Sequence, residues 1–87
     1  MSKAKVMFTL DGVSLTIQCS TENTMREICQ NFSTKTNKNM NSLLFLYGGT
    51  QVNYELKFKE QANYLDKNKN EMKVLVFLNE SEGFICP

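Results

Sequence analysis

Apolar and polar residues alternate on both sides of Asp11-Gly12, over residues 5–10 and 13–19. Asp-Gly between two such runs is a hairpin signal, because both positions of the tight turn need positive φ. Facing residues in a two-residue hairpin have numbers that sum to a constant. This sets Leu10 opposite Val13, Phe8 opposite Leu15 and Val6 opposite Ile17 on one face. Thr9 with Ser14, Met7 with Thr16 and Lys5 with Gln18 take the other face. One face is apolar and the other nearly all polar, as in a sheet covered on one side.

After a short turn at residues 20–23 the period changes. Met25, Ile28, Cys29 and Phe32 fall at i, i+3, i+4 and i+7, with Arg26, Glu27, Gln30 and Asn31 between them. That spacing predicts an amphipathic helix over residues 24–32. Thr24 is the expected N-cap and Glu27 its capping-box partner, a pair that stabilises the helix by about 1 kcal/mol. So short a helix holds only by burying its apolar face, at roughly 1.5–3 kcal/mol for each side chain. The rest of the chain is expected to be the surface it packs against.

Beyond Phe32 the period is lost, and Asn37, Asn39 and Asn41 predict a loop, since Asn tolerates left-handed backbone. Residues 43–47 read as a strand, Gly48-Gly49 as a turn and residues 50–52 as a short return strand. Residues 53–70 show no sustained period. Leu56, Phe58, Ala62, Tyr64 and Leu65 are expected there as intermittent core anchors of a partly helical connection. Residues 72–78 are the last strand. The domain is expected to span 1–79, with 80–87 as a flexible tail or the start of a linker. One helix covering one face of a mixed sheet is an α+β architecture.

Composition narrows the chemistry. The 87 residues allow one domain with a single small core. Ten basic and nine acidic residues are interspersed, so no strong field draws the chain to nucleic acid or to an anionic membrane. The N-terminal lysines are followed by no apolar stretch of signal-peptide type, and no apolar run is long enough to span a bilayer. Three cysteines without a C-x-x-C pair support neither a disulfide framework nor a complete zinc site, and an intracellular setting is expected. Cys19 and Cys29 fall on core faces and read as packing residues. With no histidine anywhere, Cys–His and Ser–His pairs are excluded, and no carboxylate constellation points to acid–base work. No enzymatic activity and no cofactor are expected. Lys57, Lys59, Lys67 and Lys69 are interrupted by Glu55, Glu60, Asp66 and Glu71 and read as a solvated stretch.

In the order of its elements the chain resembles the ubiquitin-like β-grasp family. The resemblance rests on the first hairpin, on Thr24 with Met25, Ile28 and Phe32, on Leu44-Phe-Leu-Tyr-Gly-Gly-Thr-Gln-Val52 and on Val74-Leu-Val76. It implies that the strands at 43–47 and 72–78 are neighbours, with the strand carrying Met7 adjoining. It also implies a protein-binding role, with Leu46 and Leu75 matching the two aliphatic residues of ubiquitin's recognition patch, Lys73 its histidine and Gly49 the glycine beside it. Conjugating members end in Gly-Gly. Here Leu78-Asn-Glu-Ser-Glu-Gly83-Phe-Ile-Cys-Pro87 follows the last strand, so the non-conjugating type is expected. The hairpin tip also lacks the apolar residue that ubiquitin carries there.

Alternation places Leu43, Phe45, Tyr47, Met72, Val74, Val76 and Leu78 inward. Leu44, Leu46, Leu75 and Phe77 then form an outward apolar cluster, with Met7 at its edge and Lys73 within it. Two readings stay open: an interface for a partner, or a face covered by Phe84-Ile85 or by the 53–70 connection. The partner reading makes the chain a monomeric recognition module of a larger cytoplasmic or nuclear protein. Its partner would be a ubiquitin-binding element, a ligase or a proteasome component. The alternatives are a conjugated modifier, with Gly83 as its only candidate end, and an adaptor that pairs by charge with a small GTPase or a sister domain. Cys86-Pro87 matches the start of a Cys-Pro-x-Cys pattern, which raises a zinc-binding module beyond it.

Overall fold

The turn at Asp11-Gly12 has φ of 54° and 79°, and it joins β1 (Lys3–Leu10) to β2 (Val13–Ser20). The pairing runs from Leu10↔Val13 to Lys3↔Ser20, the register that the alternation predicts. The computed structural model describes residues 3–79, and the expectations placed on 80–87, Gly83, Phe84-Ile85 and Cys86-Pro87 among them, lie outside these. The further elements are α1 (Met25–Thr36), a 3₁₀ turn (Met40–Ser42), β3 (Leu43–Tyr47), β4 (Thr50–Gln51), α2 (Phe58–Gln61), α3 (Tyr64–Lys69) and β5 (Glu71–Leu78). The five strands lie in the order β2-β1-β5-β3-β4. β1 and β5 are parallel, and the other neighbours are antiparallel.

α1 begins as its sequence dictates. The Glu27 N–H donates to Thr24 Oγ1 at 3.2 Å, and the Thr24 N–H donates to Glu27 Oε1 at 3.0 Å. The helix continues one turn past the expected end at Phe32, with Ser33 buried and the Asn37 N–H donating to the Ser33 and Thr34 carbonyls. The Thr36 hydroxyl donates to the Phe32 carbonyl at 2.8 Å, and the Ser33 hydroxyl to the Lys38 carbonyl. Asn37, at φ 57°, closes the helix in the left-handed conformation expected of an asparagine here. Asn39 instead caps the 3₁₀ turn through its side chain.

Met25, Ile28, Cys29 and Phe32 are buried against the inward residues of β1, β3 and β5. At the centre Phe8, Phe32 and Phe45 meet pairwise with ring centroids 4.5, 5.7 and 5.9 Å apart, the last two edge to face. Such pairs add about 0.5–1.5 kcal/mol each beyond the burial of their area. Cover is incomplete at the hairpin end. Val13 is 71% exposed, Leu10 and Leu15 are half-buried, and Leu78, expected inward, is exposed at the end of β5.

The 53–70 connection falls into two segments. The earlier one lies along the start of α1: the Met25 N–H donates to the Leu56 carbonyl at 2.8 Å and the Arg26 N–H to the Tyr54 carbonyl at 3.2 Å. Phe58 and Ala62 are buried and Leu56 is half-buried, as expected of anchors. Tyr64 and Leu65 are not anchors, being 76% and 69% exposed. α3 is held instead by polar contacts, with Tyr47 Oη donating to Asp66 Oδ2 at 2.6 Å and accepting from the Asn63 N–H at 2.9 Å. Asp66 is thereby turned toward the body of the fold. Asn70, at φ 53°, ends α3, and its carbonyl accepts from the Lys5 N–H.

Candidate functional site

The outward face of the sheet is set by the burial of its alternate residues. In β5 Met72, Val74 and Val76 are buried, while Lys73, Leu75 and Phe77 are exposed. In β3 Leu43, Phe45 and Tyr47 are buried, while Leu44 and Leu46 are half-buried. The antiparallel register sets Leu46 opposite Leu75 and Leu44 opposite Phe77. The four candidate apolar residues are thus two facing pairs in the middle of the sheet. Leu75 keeps 53% and Phe77 48% of its surface accessible among the described residues.

The parallel register brings β1 alongside. Met7, half-buried, lies opposite Lys73, and Thr9 lies opposite Leu75. Gly49 sits exposed in the turn from β3 to β4, where Gly48 and Gly49 have φ of 64° and 87°. Both angles lie where a side chain is disfavoured, and together they carry the chain back into β4. The structure therefore gathers Leu44, Leu46, Lys73, Leu75 and Phe77 on one face, with Met7 at its edge and Gly49 at its rim. The connection leaves this face accessible, since Leu75 and Phe77 stay exposed while its first segment is bonded to the start of α1 and its second is held at Tyr47 and Lys5.

Sequence reasoning did not include several neighbours. Gln51, opposite Leu46, extends the face onto β4, and Thr9 borders Leu75. Lys3 and Lys5, exposed on β1, share the outward parity of Met7, and Glu71 stands beside Lys5, so the far end of the face is charged, with Lys3, Lys5 and Lys73 outnumbering one carboxylate. Thr9 and Lys5 were legible in the hairpin alternation, once β5 was set beside β1. A separate apolar groove lies at the hairpin end on the helix side, lined by Leu10, Val13, Leu15, Phe32 and Thr36, with Lys38 at its rim.

The ionisable groups describe a structural scaffold. Burial pushes the Cys29 thiol up to about 12 and the Cys19 thiol to about 11, so both stay protonated at neutral pH. Hydrogen bonds from Lys59 and then Lys57 hold the Glu22 carboxyl below its ordinary value. Glu27 is lowered chiefly by the Thr24 N–H of the capping box. Arg26 lies over the Tyr54 ring, 5.4 Å from its centroid, and pairs with Glu55. Among the described residues no group of three or more His, Cys, Asp or Glu side chains is placed to hold a metal, and no helix is long and apolar enough to cross a membrane.

This architecture is the ubiquitin-like β-grasp fold, as comparison with solved structures shows. The solution NMR structure of the ubiquitin-like domain of an Arabidopsis thaliana protein superposes with a TM-score of 0.73, at 14% identity, over 91% of this chain and 80% of that one. A second structure of the same protein, from evolutionary couplings and sparse NMR data, gives 0.69 at 12% identity, over 90% of this chain and 88% of that one. No protein-family model and no curated protein matches the chain.

Proposed function

We propose that this domain is a non-catalytic recognition module, belonging to a larger cytoplasmic or nuclear protein, whose open sheet face binds a partner of the ubiquitin pathway. The observation that carries this reading is the exposure of Leu75 and Phe77, 53% and 48%, in the middle of a sheet whose other face is closed by α1. An apolar patch of this kind on a small domain is a usual interface. Leu46 and Leu75 are its centre, Leu44 and Phe77 extend it, and Gly49 leaves the rim low. Lys73 adds a polar contact, and with Lys3 and Lys5 it outnumbers the neighbouring Glu71, which favours a partner whose apolar anchor is flanked by carboxylates. A ubiquitin-binding helix, a ligase domain or a proteasome subunit has the chemistry required.

The test is an NMR titration of the labelled domain with isolated ubiquitin-binding helices and proteasomal receptor domains. Shifts are expected at residues 44–46 and 73–77. Leu75→Asp should abolish them while leaving the melting temperature within a few degrees. Shifts confined to α1 or α3, or binding that survives Leu75→Asp and Leu46→Ala alike, would sink the proposal.

A further inference from the structure

The two edges of the sheet differ in how they are protected. β4 has only two residues, Thr50 and Gln51, and so offers almost no template to another strand. β2 has eight, paired to β1 without a bulge, and Val13-Ser-Leu-Thr-Ile-Gln-Cys-Ser20 contains no charge and no proline. Natural edge strands are blunted by shortness, charge, proline or a bulge, and β2 has none of these.

Which backbone groups of β2 are free among the described residues follows from the turn. In a two-residue hairpin Leu10 and Val13 exchange both backbone hydrogen bonds, and the bonded pairs then alternate. Val13, Leu15, Ile17 and Cys19 therefore direct their N–H and C=O toward β1. The donation from the Lys5 N–H to Asn70, away from β2, agrees with this alternation. Ser14, Thr16 and Gln18 direct theirs outward. Ser20 closes the open stretch, since its N–H donates to Asn23 Oδ1 at 2.9 Å and its carbonyl accepts from the Asn23 N–H at 3.0 Å.

We infer that β2 is a homotypic pairing edge, so that the monomer expected from the sequence gives way to a dimer as concentration rises: two copies of this chain join antiparallel along β2 about a two-fold axis at Thr16. In that register Thr16 faces Thr16 of the second copy, and Ser14 faces its Gln18. Both backbone groups of all three residues are then satisfied in each copy. On the helix side Leu15 faces Ile17 of the second copy, and the exposed Val13 faces its Cys19, so apolar residues meet apolar ones. On the open side polar residues meet polar ones, and no like charges are opposed anywhere along the seam. β4 is too short to continue the assembly, so the contact closes as a dimer. The seam does not touch the apolar sheet face of either copy, which lies on β3 and β5.

The experiment is sedimentation velocity of the full chain from micromolar to millimolar concentration, at low ionic strength. The wild type is expected to move from 10.0 kDa toward twice that mass as concentration rises. Thr16→Lys and Thr16→Glu, changes to an exposed side chain, are each expected to stay monomeric with an unchanged melting temperature. Mixed in equal amounts they should regain the doubled mass, because opposite charges then face across the axis. A wild type that stays at 10.0 kDa throughout overturns the proposal. So does a dimer that survives both single variants, or one that mixing fails to restore.

Discussion

The two faces of the sheet are built by the same three strands, and one-residue alternation decides which side chain goes where. Toward α1 stand Phe8, Phe45, Val74 and Val76, all buried, and three phenylalanine rings interlock there. Toward solvent stand Met7, Leu44, Leu46, Leu75 and Phe77, almost as apolar as the closed set yet without a second layer among the described residues. Composition cannot separate the two sets, because the inward and outward residues of β3 and β5 are of the same kinds. Position against α1 separates them: one set has its surface removed from water and supports the fold, and the other keeps part of its surface accessible among the described residues.

The widest separation between the faces is expected from truncating one ring. Phe45→Ala empties a site at the meeting of three aromatic contacts and should cost about 3–5 kcal/mol, read as the shift in a chemical denaturation midpoint. Leu75→Ala, one residue from the buried Val76, should cost less than about 1 kcal/mol, since half of its side chain is already in water. A similar loss at both positions would erase the distinction between the faces.

Smaller effects sharpen the boundary of the closed face. Tyr47→Phe keeps the ring but removes the hydroxyl shared by Asp66 and Asn63, and about 1–2 kcal/mol of stability should go with it. Amide exchange of α3 should rise more than that of α1. Thr24→Ala removes the N-cap of α1 at a cost of about 1 kcal/mol, with the loss concentrated in the first turn of the helix.

The smallest expected effect is with acid. Glu27, fully exposed, has its carboxyl lowered from 4.5 in the folded chain. Its contribution is present above the unfolded value and is lost as pH falls through the lower, folded one. The melting temperature should therefore drop below about pH 4.5, and Glu27→Gln should flatten that drop by lowering slightly the value at neutral pH, where the carboxylate's contribution is present.

Much of the closed face was legible in sequence because short-range rules govern it. The hairpin register follows from one dipeptide, the start of α1 from Thr24 and Glu27, and the inward set of β3 and β5 from alternation. Contacts between residues far apart in sequence were not legible in the same way. α3 is oriented by Tyr47 and Asp66, which no periodicity joins, so hydrophobicity alone assigns Tyr64 and Leu65 to the core although they face water. The last turn of α1 is made of Ser33, Thr34, Lys35 and Thr36, poor helix formers for the most part, and it ends on the left-handed Asn37 cap with Ser33 buried. For the site, alternation named the outward residues. The resemblance to ubiquitin-like domains was needed to make β3 and β5 neighbours, because no local rule pairs strands so far apart in sequence.

The parallel pairing of β1 and β5 also has a mechanical consequence. Lys5 lies beside Glu71 and Leu10 beside Val76, so the chain enters this pair at one end and leaves it at the other. Tension applied through the two ends pulls these strands past each other along their length. The rungs between them are then loaded together, whereas an antiparallel hairpin pulled at its open end would unzip rung by rung. A domain wired in this way resists stretching at its centre, and in a force-extension trace it should hold as one unit and then yield in a single step.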